Sequence, residues 1–201
     1  MQKLIGLLAV LVCLPAILII IIRYILIVIA VEGRSMYPTL NDGDRVLAVR
    51  FDVCPRWLRS LLRPERRLNR GRIVLVSPWL LPSANLKDLN ATTVFIKRII
   101  GVGGDTVVTS ITDMDRELWP DHLAAHDSEG KRTWHIPPGH FFVLSDNLPG
   151  GYDSLTWGPV SYRTVLGIAI RNLSRRASLN ENNSPPALRN HPGVQAGGVE
   201  Q

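Results

Sequence analysis

The run from Leu4 to Ile22 carries no charged side chain. It can be buried in a protein core, removed as a secretory signal, or placed in a bilayer. A signal peptide has an apolar core of about 7–15 residues followed by a small-residue cleavage site. A membrane span needs about 20 apolar residues. The run exceeds the first and nearly meets the second, so residues 1–26 are expected to be a retained N-terminal transmembrane helix. Arg23 and Tyr24 would then sit at the interface. With 201 residues in all, the remainder suffices for one domain of moderate size.

The formal net charge is +6, which points to an anionic neighbour, lipid or nucleic acid. No zinc-finger spacing and no aromatic-basic pattern accompanies it. Anionic membrane lipid is therefore the expected partner, and nucleic acid is not. Between Pro55 and Arg67, Trp57, Leu58, Leu61 and Leu62 recur at helical spacing beside Arg56, Arg59 and Arg63. An interfacial helix on lipid and a solvated surface helix both fit this pattern. Lys3 precedes the anchor, while Arg23, Arg34, Arg45 and Arg50 follow it. A positive-inside count alone would place the domain in the cytoplasm. Cys13 lies in the apolar run and Cys54 beyond it, so no disulfide between them is expected.

Beyond the anchor the chain reads as short strands punctuated by glycine and proline. Strands are expected from Ile27, over Arg45–Phe51, Gly71–Val76 and Thr92–Val102, from Thr106, and over Phe141–Leu144 and Val165–Ile170. The fold class is mainly β: a mostly antiparallel domain over 27–173. The polar, acidic stretch 109–134 reads as an insertion, with a hairpin as one form. His122 and His126 within it read as surface histidines, because no third ligand accompanies them. Residues 174–201 are polar, contain Pro185-Pro186 and Gly197-Gly198, and are expected to be a disordered tail.

Two residues stand out chemically. Ser35 lies in Gly33-Arg34-Ser35-Met36-Tyr37-Pro38-Thr39-Leu40, just past the apolar region and before the turn Asn41-Asp42-Gly43-Asp44. That places it on a constrained, non-helical loop. A serine hydroxyl needs a base to become a nucleophile. Lys97 lies in the strongest strand signal, with Phe95 and Ile99 on its own face. A lysine can serve as base only when neutral, which burial among apolar groups favours. Arg98 points the other way and stays protonated. On the strand alone, the plainer reading of Lys97 is a side chain snorkelling from a sheet edge.

Ser35-Met36-Tyr37-Pro38-Thr39-Leu40 resembles the nucleophile box of the signal peptidase I family, membrane-bound Ser/Lys endopeptidases. Three further blocks are similar to that family in the same order: Gly71 to Val76; Lys97 to Gly101 with Gly104-Asp105; and Gly139 to Val160. The resemblance implies that Ser35 is the nucleophile, that its backbone N–H contributes to an oxyanion hole, and that Lys97 is the general base. Met36, Pro38, Asp146, Asn147, Asp153 and Ser154 would support the site, with no metal or cofactor. Substrates would be exported preproteins with small residues at −1 and −3, bound as an added β-strand. The catalytic domain would face the outside of the plasma (inner) membrane on a single-pass anchor, against the charge count.

The chain departs from that family's pattern at four positions. Ser145 stands for a glycine, Leu155 for an arginine expected to pair with Asp153, and Gly151 for a serine that hydrogen-bonds the lysine. Gly33 stands where some members carry an oxyanion hydroxyl. The expectation is a base held loosely for want of the hydroxyl at 151, with Ser154 or Ser145 orienting it as the alternative. The departures also keep open a weakly active relative that binds or scaffolds, and a dedicated processing peptidase with one substrate.

Overall fold

Helix α1 runs from Gln2 to Ile25, with Pro15 inside it and Arg23 in its last turn. Leu26–Ala30 then forms strand β1. The computed structural model describes residues 2–51, 68–77, 94–110, 131–147, 153–174, 177–178 and 195–197. Leu11, Val12, Leu14, Ile17, Leu18 and Ile19 on α1 are exposed. Among the described residues no helix is long and apolar enough to cross a membrane.

The strands are β2 Arg45–Arg50, β3 Ile73–Val76, β4 Phe95–Val102, β5 Thr106–Ser110 and β6 Lys131–His135. They continue as β7 His140–Leu144, β8 Val160–Ser161, β9 Val165–Asn172, β10 Ala177–Ser178 and β11 Gln195–Gly197. A short helix, α2, spans Ser154–Trp157. The main sheet has the order β1-β2-β9-β3-β4-β7-β8, with β10 also on β9, and a second sheet has the order β11-β5-β6. Every pairing is antiparallel, as expected for this mainly β chain.

Two outcomes differ from the sequence reading, in the tail and at α2. Strand β6 begins inside the expected insertion and pairs with β5 from Thr106↔His135 to Ser110↔Lys131, the hairpin that the sequence reading offered as one form. Its alternation is hard to read because Arg132 occupies an inward position, stacked 3.7 Å over the Trp134 ring. The segment expected to be unstructured contributes β10 and β11, which take backbone hydrogen bonds on β9 and β5. Helix α2 sits where only turns were expected. The rest of the insertion with His122 and His126, the basic segment with Cys54, Gly151, and most of the tail lie outside the described residues.

The core falls into three apolar clusters. The largest packs Val74, Val76, Ile99, Val143, Trp157 and Ile168 beneath the main sheet. A second, with Ile100, Val107, Trp134, Ile136, Phe142 and Leu144, joins the two sheets. The third buries Met36 and Leu40 with Val31, Val46, Ile73 and Ala169, so the loop bearing Ser35 is anchored in the core. The Gly104-Asp105 block is structural. Asp105 accepts the Val102 N–H at 2.7 Å and pairs with Arg70 at 2.8 Å, holding the turn between β4 and β5.

Gly101 marks where β4 crosses the second sheet. A Cβ there would run into Ile136 Cδ1 and Val107 Cγ2. Gly101→Ala is therefore expected to destabilise the domain by about 1–3 kcal/mol through overpacking. Thermal melting checks this, with a fall of about 2–4 °C per kcal/mol; an unchanged melting temperature would contradict it.

Candidate active site

The Ser35 loop is closed at its base by two backbone hydrogen bonds. Val31 N–H donates to the Asp44 carbonyl at 2.8 Å, and Gly43 N–H to the Val31 carbonyl at 2.9 Å. The Asp44 carboxylate accepts from Asn41 N–H at 2.9 Å and from Asn172 Nδ2 at 2.8 Å, pinning the loop to β9. Within the loop the Tyr37–Pro38 peptide is cis, Pro38 is exposed, and Met36 is buried. Gly33 has φ +85° and donates its N–H to Asp42 Oδ1 at 2.8 Å. Only glycine takes that backbone readily, so conformation accounts for the missing hydroxyl at position 33.

Lys97 is 3% exposed in the middle of β4. Its Nζ donates to Ser145 Oγ at 2.9 Å and lies 5.8 Å from the centre of the Phe95 ring. That ring stacks on Trp157 at 5.4 Å, which fixes the apolar wall beside the amine. Ile99, on the same face, is buried in the largest core cluster. Lys97 is thus a buried residue, not one snorkelling to solvent. Ser35 and Lys97 line one cavity of about 400 Å³ together with Ile29, Val31, Glu32, Met36 and Phe95.

Burial lowers the Lys97 pKa below its ordinary value, and the carboxylates of Asp153 and Asp146 oppose that shift. Asp153 is fully buried, and burial raises its pKa against the Lys97 charge and the hydrogen bonds it accepts. Those bonds come from Ser145 N–H and Leu155 N–H, each at 3.0 Å. Asp153 also caps α2. Leu155, where an arginine was expected, packs against the cluster joining the two sheets. Ser154 Oγ accepts the Val143 N–H at 2.9 Å and so tethers α2 to β7.

On the opposite face of β4, Arg98 makes a buried bidentate pair with Asp146, at 2.7 and 2.6 Å. The same guanidinium donates to the Gly71 carbonyl at 2.7 Å and to Thr39 Oγ1 at 3.1 Å. Asn147 completes the junction: its N–H donates to the Ser35 carbonyl at 2.8 Å and its Nδ2 to the Arg34 carbonyl at 3.1 Å. The structure therefore gathers Ser35, Met36, Lys97, Asp146, Asn147, Asp153 and Ser154 in one region. Sequence reasoning missed the part played by Arg98 and by the Phe95–Trp157 stack; of the two hydroxyls it weighed in place of the one missing at 151, Ser145 is the one that accepts from Lys97. The signal for Ser145 was its own departure from the expected glycine. Among the described residues no group of three or more His, Cys, Asp or Glu is placed to hold a metal ion.

A family model described as signal peptidase, peptidase S26, matches residues 4–172. The chain belongs to the signal peptidase S26 family. It is 32% identical over 143 residues to a probable signal peptidase I-2 of Synechocystis, covering 70% of this chain and 59% of that one. It is 29% identical over 146 residues to thylakoidal processing peptidase 1 of Arabidopsis thaliana, 70% of this chain and 40% of that one. Human mitochondrial inner membrane protease subunit 1 is 27% identical over 140 residues, 70% of this chain and 64% of that one. The chain thus spans about 40–64% of the length of these relatives. A crystal structure of signal peptidase I from Enterococcus faecalis matches with TM-score 0.31 at 23% identity, covering 50% of this chain and 94% of that one.

The lowered Lys97 pKa links stability to pH. Between the folded and the ordinary lysine values the unfolded chain binds the extra proton, so this contribution to stability rises with pH across that window. Relative to Lys97→Met, the wild type should gain melting temperature as pH rises toward the ordinary lysine value of about 10.4. A constant difference over that range would contradict a depressed lysine.

Proposed function

We propose that the protein is a membrane-anchored serine endopeptidase that removes N-terminal signal peptides from exported preproteins, with Ser35 as nucleophile and Lys97 as general base. The observation that carries this reading is a buried lysine, its pKa lowered by desolvation, lining the same cavity as an accessible loop serine. Membership of the family and the names of its relatives support the class of reaction.

The neutral Lys97 amine takes the Ser35 hydroxyl proton as Ser35 Oγ attacks the scissile carbonyl. The backbone N–H of Ser35 helps to hold the resulting oxyanion. The Lys97 ammonium returns the proton to the leaving amine as the C–N bond breaks. A water, deprotonated by Lys97, then hydrolyses the acyl-enzyme and frees Ser35. The substrate strand lies between the end of β1 at Ile29–Val31 and the start of β4 at Val94–Lys97, the two elements that line the cavity. Met36 and Phe95 narrow that space, which favours small side chains next to the cleaved bond.

The anchor rests on the uncharged sequence from Leu4 to Ile22. It also rests on the helical backbone from Gln2 to Ile25. The catalytic domain then sits on the extracytoplasmic face of the plasma (inner) membrane, where exported chains emerge, and the chain's net charge of +6 suits anionic lipid.

Cleavage of a model preprotein by the full chain in detergent tests this. Ser35→Ala and Lys97→Ala should each abolish processing with the fold retained, and the double variant should be no slower than either single one. Wild-type activity should rise with pH, with a midpoint well below about 10.4. Processing by Lys97→Ala at near wild-type rates would exclude the lysine as base. A wild type that binds the preprotein without cutting it would favour the scaffold reading.

A further inference from the structure

Beside Ser35 and Lys97, the described residues that line the shared cavity are apolar with one exception, Glu32. The backbone fixes where that carboxylate stands. Val31, just before it, is buried in the cluster with Met36 and Leu40, and it bonds the Asp44 carbonyl with its N–H and the Gly43 N–H with its carbonyl. Gly33, just after it, turns with φ +85° and donates its N–H to Asp42 Oδ1 at 2.8 Å. Glu32 is thus held between two fixed residues, with Val31 committed to the core and its own side chain exposed at the cavity rim. Its place is set before a substrate arrives. Among the described residues no hydrogen bond or ion pair engages its carboxylate.

We propose that Glu32 is a specificity-determining residue that selects peptides with a basic side chain, lysine or arginine, at −2 or +1. In an extended substrate successive side chains point to opposite sides. The small residues at −1 and −3 point inward, toward Met36 and Phe95. Those at −2 and +1 then point outward, toward the rim where Glu32 stands. The other charges nearby oppose it. Arg34 is exposed beside the nucleophile but is not among the lining residues, and Lys97 is buried within the cavity wall. The chain as a whole carries +6. That overall charge by itself favours acidic peptides, so a preference for basic ones requires a local carboxylate, and the sign of the preference separates the two.

This inference rests on the Ser35/Lys97 reading, so its test carries Ser35→Ala alongside. The assay is cleavage by the full chain, in non-ionic detergent at low salt, of synthetic preprotein segments with alanine at −1 and −3. One set carries lysine, alanine or glutamate at −2, and a second set carries the same three at +1. In at least one set the wild type should favour lysine over glutamate by about ten-fold in kcat/KM, an attraction and a repulsion of about three-fold each, as for exposed charge pairs. The difference should lie mainly in KM, because the contact is made equally in the ground and transition states. Glu32→Gln should bring the ratio to about one or below, Glu32→Arg should favour glutamate, and Glu32→Asp should keep the preference for lysine. At about 1 M salt, where charges are screened beyond about 3 Å, the wild-type preference should flatten.

A wild type that favours glutamate, or ignores the charge at both positions, would overturn the proposal, as would a preference for lysine that survives Glu32→Gln. A Glu32→Gln protein that melts like the wild type and cleaves none of the peptides would overturn it too, by placing Glu32 in the chemistry and not in selection. If Glu32→Gln does not fold, the contrast between Glu32→Asp and Glu32→Arg decides. Cleavage that survives Ser35→Ala would remove the underlying reading and the inference with it. Cleavage that needs Ser35 but ignores the charge at position 32 would remove the inference only.

Discussion

The buried pair between Arg98 and Asp146 is the constraint on which the site depends. Arg98 reaches four parts of the chain at once: its own strand β4, the 145–147 segment through Asp146, the start of β3 through the Gly71 carbonyl, and the Ser35 loop through Thr39. Removing one partner of such a pair leaves an uncompensated buried charge and costs about 3–5 kcal/mol. Its geometric effect matters more here. Residues 97 and 98 alternate across β4, and residues 145 and 146 are likewise adjacent. Fixing Arg98 on Asp146 below the strand brings Lys97 and Ser145 to 2.9 Å above it. Asn147, the next residue on, then ties the same segment to the carbonyls of Arg34 and Ser35.

The site is built against the folding preferences of its own residues. Lys97 and Asp153 are nearly or fully buried, and burial disfavours the charged form of each. Such groups reduce stability unless they are paired and hydrogen-bonded. The three apolar clusters and the antiparallel sheet offset that cost, with Phe95, stacked on Trp157, forming part of the wall that keeps water from the amine. A lysine in water would keep its proton; burial favours the neutral form that the proposed mechanism uses.

Much of this was legible in the sequence, and the misses have physical causes. Strands β1 to β4, β7 and β9 announced themselves through β-branched runs bounded by glycine and turn residues. Ser35 and Lys97 stood out because a serine after an apolar run and a lysine within an apolar strand are both uncommon chemistry. Strand β6 was legible only as one form of the insertion, because Arg132 points inward and is accommodated by stacking on Trp134, which breaks the usual alternation. Position 145 was read as a loss relative to the family's glycine, and position 151 as a missing hydroxyl. The sequence does not say which distant residues converge, so it could not choose between Ser154 and Ser145 as the hydroxyl that reaches the lysine. Leu155 looked like a lost ion pair; in space it is a core contact.

The central claim is that burial favours the neutral amine of Lys97, the form that the proposed mechanism requires. The most direct measurement is its own titration in the folded full chain, followed by NMR of carbon-labelled lysine side chains in detergent. The chain's other lysines are Lys3, Lys87 and Lys131, so the signal missing from Lys97→Met assigns the resonance. The account predicts that Lys97 titrates well below the ordinary value of about 10.4. Titration of Lys97 at that ordinary value would contradict it.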